Sequence, residues 1–310
     1  MTDPDTTGRE PDGSALATRD IPPPPEVTPR SRTIRFAWIA VMVILVGVVA
    51  LVTYALTRPT STPRTVHRPA TAADVVSAVS EVPPAMFDSV GVTAPSTPLS
   101  VPTLLTGQPP LAAHGKPEVL YVGAEFCPFC AAERWPLIVA LSRFGHFSKL
   151  SNMQSTQSSV FPGVESFSFV GTAYTSRYVA FTGIELYSDA VDAHGVYTRI
   201  ASLNPLESLL VARYGNTPVK RGSEAGTFPF VDIGNVMVTS TSGFSPQILV
   251  SQSQGTIAGD LSQPSEPIGQ AVAASANYLT AGICIATGQY PASTCTDKGV
   301  RAAAAALGTG

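Results

Sequence analysis

The stretch Glu118-Val-Leu-Tyr-Val-Gly-Ala-Glu-Phe-Cys-Pro-Phe-Cys130 decides the fold. Glu118 to Val122 is a short apolar run bounded by Pro117 and Gly123, the pattern of a buried strand. Beyond Cys130, Leu137, Ile138, Leu141 and Phe144 recur at helical spacing. Ala131 to Phe144 therefore reads as an amphipathic helix that stops at Gly145. Between strand and helix sits Cys-Pro-Phe-Cys. Pro128 suits the first helical position, where its missing N–H costs nothing. Cys127 is then the N-cap, and its sulfur can accept the backbone N–H of Cys130. The helix dipole favours negative charge at the same place. Both effects lower the pKa of Cys127 and favour its thiolate. Cys130, one turn further in, is close enough for a disulfide and less exposed. The expected roles are attack by Cys127 and resolution by Cys130.

Two other readings compete at this pair. A zinc site needs four ligands, usually as two such pairs. The remaining cysteines, Cys284 and Cys295, have ten residues between them, a poor match, so no metal is expected. An inert structural pair is the second alternative, in an unusual place for one. Cys284 and Cys295 flank a polar segment containing Gly288 and Pro291, which suggests a structural disulfide after the last helix. A second redox pair relaying electrons to Cys127 and Cys130 is the alternative there.

Outward from this centre, Thr71 to Ser80 reads as a short helix capped by Thr71. Pro83 to Pro117 is rich in Pro and Gly and reads as extended chain. Ser148 to Pro162 is polar and reads as a loop. Phe167, Phe169 and Gly171 alternate with Ser168 and Val170 as in a strand, and Tyr178 to Tyr187 gives another. Asn204-Pro205-Leu206-Glu207 is a helix start, with that helix running to about Arg213. Thr227 to Ile233 is a strand, and Gly234-Asn235 turns it back through Val236 to Val238 as a hairpin. Ser245-Pro246 opens another helix. Ile268 to Ala281 is apolar but interrupted by Gln270, Ser275 and Asn277, a packed helix rather than a membrane span.

Phe36 to Thr57 carries no charge, and about 20 apolar residues suffice to span a bilayer as a helix. Trp38 and Tyr54 lie near its ends, where amphipathic rings favour the interface. The long preceding tail argues against a cleaved signal peptide. Arg30, Arg32 and Arg35 crowd one flank, whereas Arg58, Arg64 and Arg68 are spread along the other. That bias places the tail in the cytoplasm and the C-terminal domain outside, in the cell membrane with a single pass. Paired cysteines suit an oxidising compartment. The chain divides into a disordered Pro-rich tail (1–33), the transmembrane helix (34–57), a linker (58–70), a folded domain (71–297) and a C-terminal tail (298–310).

Charged residues make up 13% of the 310 and the net charge is −3, so no strong field invites nucleic acid. The chain has no Walker-type loop, no GxGxxG, no GxSxG and no HExxH. No cofactor is expected. His67, His114, His146 and His194 are scattered in sequence, more as surface residues than as ligands.

Ala124-Glu125-Phe126-Cys127-Pro128-Phe129-Cys130 resembles the redox signature of the thioredoxin superfamily. Phe228-Pro229-Phe230, opening a strand with a hairpin after it, resembles the strand that carries that family's cis-proline. The resemblance implies that Pro229 faces the cysteines and, with Phe228, Pro128 and Phe129, shapes a groove for a partner's backbone. Gly115 to Trp135, Ala140 to Gly145, Tyr174 to Tyr178 and Pro229 to Asn235 are together similar to a bacterial and archaeal family. It is the domain-of-unknown-function family numbered nine-two-nine, whose members are typically membrane-anchored and thioredoxin-like. The implied fold is α/β and thioredoxin-like, preceded by a single transmembrane helix. It carries a long insertion, residues 146–226, between the CxxC helix and the cis-Pro strand. About a hundred residues separate Cys130 from Pro229, where a thioredoxin has some tens. Pro136 sits one residue late for the family's kinking proline. Tyr121 stands where thioredoxins bury an Asp, so that proton acceptor is missing unless Glu125 serves as a proton relay. A surface role is the simpler reading of Glu125.

The expectation is a membrane-anchored, extracytoplasmic thiol–disulfide oxidoreductase. Its partners would be protein thiols or disulfides and an unidentified electron partner in the membrane. The rival is a non-catalytic thioredoxin-like binding module with structural disulfides. An accessible Cys127 favours the first and a buried one the second.

Overall fold

The computed structural model describes residues 42, 44–50, 53, 71–215 and 228–309. The chain divides into two compact units, Met1–Val66 and His67–Gly310. In the first, the described residues are helical, and Met42, Ile44, Leu45, Val46, Val48 and Val49 are exposed apolar side chains. The Pro-rich tail, the linker and the rest of the expected anchor lie outside the described residues.

The second unit opens with helices α1 (Ala72–Ser80) and α2 (Pro84–Val90). Strands β1 (Thr103–Leu104) and β2 (Ala112–Ala113) lead to β3 (Lys116–Gly123) and then α3 (Pro128–Ser142). Strands β4 (Gly145–Gln154) and β5 (Glu165–Ser176) form an antiparallel pair before β6 (Ala180–Glu185). A small pair, β7 (Tyr187–Val191) and β8 (Tyr197–Arg199), precedes α4 (Pro205–Tyr214). Strands β9 (Phe230–Ile233) and β10 (Met237–Thr239) form a hairpin. A 3-10 turn at Pro246–Leu249, α5 (Gln254–Asp260), α6 (Pro267–Ala286), α7 (Ala292–Cys295) and α8 (Lys298–Ala306) follow.

The fold is mixed α/β around a mixed sheet with β3 at its centre. β3 runs antiparallel to β9, with Leu120 opposite Asp232, and parallel to β6, with Tyr121 opposite Gly183. β10 and β1 extend the sheet beyond β9, and β2 pairs with the start of β3. The parallel pairing requires a crossover, and α3 with the β4–β5 pair supplies it. From Val119 to Ala124 the central strand is fully buried, which explains its unbroken apolar run.

Local capping sets several helix starts. Thr71 caps α1 in a reciprocal box with Asp74, and Asn204 caps α4 in the same way with Glu207. α3 is buried all round rather than amphipathic: every residue from Cys130 to Leu141 is buried, Glu133 and Arg134 included. The reason is that β5 wraps it. Trp135 Nε1 donates to the Glu165 carbonyl at 2.9 Å, and the Tyr174 hydroxyl to the Leu141 carbonyl at 2.9 Å. On another side α3 packs against α6.

Five further readings change. Within Pro83 to Pro117, expected as extended chain, α2 forms because Met86, Phe87 and Val90 bury on one face. Part of the expected loop from Ser148 to Pro162 is β4, stabilised by pairing with β5 rather than by propensity. The strand expected from Tyr178 to Tyr187 is broken at Leu186, and the one expected from Thr227 begins at Phe230, Thr227 itself lying outside the described residues. Residues 298–310, expected as a tail, carry α8, which buries Val300 and Ala303.

The C-terminal helices are tied to α3. Arg143, at its C-cap, pairs with Asp297, lies 4.0 Å over the Phe87 ring and reaches Asn277 and Thr280. Cys284 and Cys295 form a disulfide between α6 and α7. Among the described residues, α6 is the one helix long and apolar enough to cross a membrane. Most of it is buried inside the domain.

Candidate functional site

The end of β3, the turn Ala124–Phe126 and the first turn of α3 build the site. Cys127 has extended backbone and caps α3, and its sulfur accepts the Cys130 N–H at 3.3 Å. Pro128 is the first helical residue. Both cysteines are free thiols. Burial pushes the Cys127 thiol up, but hydrogen bonds from Cys130 and from the Phe129 N–H, together with the Arg134 charge, outweigh it and hold it below its ordinary range. Cys130 goes the other way: its burial is complete, and its bond to Cys127 and the charge there raise it well above the ordinary range. Of the two thiols, Cys127 is therefore the one that ionises first and Cys130 the one that keeps its proton longer.

Behind the sulfurs lies a buried ion pair. Arg134 Nε and Nη2 donate to the two Glu185 oxygens at 2.9 and 2.7 Å, with both side chains inaccessible. Nη2 also donates to the Ala124 carbonyl at 2.9 Å, the same oxygen that accepts the Cys127 N–H at 3.2 Å. Burial works against charge on Arg134, and Glu185 more than restores it. Burial also raises the Glu185 carboxyl, against the pull of the guanidinium. Tyr121 lies alongside, its ring centroid 5.7 Å from the Arg134 guanidinium carbon and its buried hydroxyl without a hydrogen-bond partner among the described residues.

The cysteines belong to a small apolar cluster, separate from the main core, with Leu120, Val122, Ala124, Leu186, Phe228 and Phe230. Leu210 and Val211 of α4 close it. Phe126 stacks on Tyr197 at 3.8 Å and packs near Tyr187 and Phe228. The segment between α3 and β9 is pinned to the cysteine turn: the Glu125 N–H donates to Tyr187 and the Thr156 N–H to Phe126. Under this cover Cys127 is 7% exposed.

The residues singled out in the sequence divide as follows. Phe228 shares the cluster with Cys127 and Cys130, and Pro229 is buried beside it with a cis bond between them. Pro128 is buried within α3. Phe129 faces outward, against Phe161 at 5.5 Å. Glu125 is half-buried rather than on the open surface, and accepts from the Ser168 hydroxyl. Cys284 and Cys295 lie in the main core cluster. Among the described residues no group of three or more His, Cys, Asp or Glu is placed to hold a metal ion. Sequence reasoning missed Arg134 and Glu185. A charge inside the apolar run of α3 was the available signal for Arg134; Glu185 had none nearby.

The model of a family described as Domain of unknown function (DUF929) matches residues 105–285, more than half of the chain. No curated protein and no solved structure matches it. The matched span runs from just after β1 to the end of α6 and contains both site cysteines, the ion pair and Pro229, and the chain belongs to this family of unknown function.

Proposed function

We propose that this chain is a thiol–disulfide oxidoreductase acting on protein thiols or disulfides, in a thioredoxin-like arrangement. In this reading the helix at residues 34–57 anchors it in the cell membrane with the cysteine domain outside the cytoplasm. The observation that carries it is a pair of free thiols at one helix start, with the Cys127 sulfur accepting the Cys130 N–H as the helix cap and Cys130 buried one turn in. The thioredoxin-like reading is supported by strand, Cys-Pro-Phe-Cys and helix in succession, and by a hairpin after Pro229 running antiparallel to β3. The anchor is supported by the uncharged run and the exposed apolar helical residues in 42–50.

The chemistry is an exchange. The Cys127 thiolate attacks one sulfur of a partner disulfide, forming a mixed disulfide and releasing the other partner sulfur as a thiolate. Cys130 passes its proton to the partner thiolate just released and, as a thiolate, attacks the Cys127 sulfur. That bond replaces the mixed disulfide, and the second partner sulfur leaves. Two electrons pass to the partner, and the reverse sequence donates a disulfide. Phe228 and Pro229 line the approach. Cys284–Cys295 sits in another cluster, which supports a structural role rather than a relay.

The reduction potential of the pair in the full-length chain, in detergent, tests this. A value near about −120 mV marks a disulfide donor and one near about −270 mV a reductant. A Cys130→Ser variant is expected to accumulate mixed disulfides through Cys127. A second reading has its own observation: Cys127 is buried, 7% exposed, the outcome set above as favouring a binding module, here with a shielded pair. A pair that fails to cycle with glutathione or dithiothreitol in the folded chain selects that module.

A further inference from the structure

Arg134 lies four residues after Cys130 in α3, so the two side chains occupy one face of the helix. The guanidinium is then fixed from three sides. Glu185 at the end of β6 holds it bidentately, Ala124 at the end of β3 accepts from it, and Met153 Sδ of β4 lies 3.2 Å from Nη1. Because the Ala124 carbonyl also accepts the Cys127 N–H, one oxygen links the charge to the backbone of the attacking thiol. A fixed charge in a water-excluded site acts more strongly than one in solvent. Nothing in the exchange chemistry consumes this pair.

We propose that the Arg134–Glu185 pair is a positioning element for the thiol pair: it aims a buried positive charge at the sulfurs, and Glu185 limits its strength. This rests on the redox reading and adds what sets the poise of the pair. Stabilising the thiolate stabilises the reduced form, which makes the pair more oxidising. Tyr121 on β3 also interacts with both cysteines, and its buried phenol stays neutral, while Glu125 in the turn, held by Ser168, acts on Glu185.

Two variants of the full-length chain in detergent move the site in opposite directions. Glu185→Gln keeps an oxygen for the guanidinium and removes the negative charge. Cys127 should then become acidic at lower pH, and the equilibrium constant with glutathione should shift about tenfold toward the reduced form, about 30 mV. The double variant Arg134→Met, Glu185→Gln removes both charges. Cys127 should titrate at higher pH, with a shift of similar size toward the disulfide. Thiolate absorbance and alkylation rate against pH read the first quantity, thiol trapping in glutathione buffers the second, and circular dichroism monitors folding. A merely structural pair would leave both quantities unchanged in folded variants, and that overturns the proposal. So does a shift of both variants in one direction. If the double variant fails to fold, the sign for Glu185→Gln and for the charge-conserving Arg134→Lys decides: the first must lower the Cys127 titration and the second must keep it below that of an ordinary thiol. If the native pair never exchanges with glutathione, the redox reading fails, while the titration of Cys127 still reports whether the charge acts on it.

Discussion

Glu133 and Arg134 are neighbours on one buried helix, and their surroundings treat their charges differently. Arg134 meets a carboxylate, whereas among the described residues Glu133 meets the Gly243 N–H, at 2.7 Å, and no cation. Burial therefore pushes the Glu133 carboxyl from its ordinary 4.5 up to about 8. Between those two values the folded chain keeps a proton that the unfolded chain releases. The stability contributed by this proton is complete below about 4.5 and is lost as pH rises to about 8. The slope is about 1.4 kcal/mol per pH unit. Glu133→Gln cannot titrate, so thermal unfolding followed from pH 5 to 8 should show a flatter fall than the native chain and a higher Tm at the alkaline end. At this scale legibility tracked sequence distance. The Cys127 cap is made with the Cys130 N–H three positions away, so spacing alone suggests it. The Arg134–Glu185 bond spans 51 positions, and no local pattern announces it.

Among the elements, α4 has the most direct bearing on the site, since Leu210 and Val211 close the cysteine cluster. Truncation of a buried Leu to Ala typically costs about 2–5 kcal/mol. Leu210→Ala should lose stability toward the low end of that range, because α4 lies at the edge of a small cluster. It should also speed alkylation of Cys127 by iodoacetamide under native conditions. Equal alkylation rates in variant and native chain would show that other residues guard the sulfur. The start of α4 was legible because Asn204, Pro205 and Glu207 carry their own capping geometry. β4 was not, because a polar strand owes its form to a partner: Asn152 pairs with Phe167 and Met153 with Ser166 across the hairpin. α8 went unseen for a similar reason. Its Val300 and Ala303 are buried only once α6 and α2 are there to receive them.

At the scale of the molecule, the disulfide ties α7 to α6, and the Arg143 cluster ties the last helices to α3. The Cys284–Cys295 bridge closes a loop with a sequence separation of 11, and a loop of this length stabilises a fold by about 3 kcal/mol in the chain-entropy account. The double variant Cys284→Ala, Cys295→Ala should lose close to that amount in urea unfolding while leaving the titration of Cys127 in place. A change at Cys127 would instead tie the two cysteine pairs together. The pairing itself was legible, since the sequence held only these two cysteines outside the redox signature. The crossing of β3 by a parallel β6 was less so, because the intervening segment gave no boundary between crossover and cover.

The cover over the cysteines also has an order in time. Tyr187, Tyr197, Leu210 and Phe228 all follow Cys127 in the chain. Synthesis runs from the N-terminus, so both thiols emerge before these four residues exist. Arg143 meets Asp297 only after another 154 positions have been made. During that interval the pair is open to whatever oxidant or reductant is at hand, and completion of the chain shuts it. On the redox reading proposed above, the newly made molecule would carry forward the redox state of its own assembly, and each later exchange with a partner would wait on the opening of that aromatic cover.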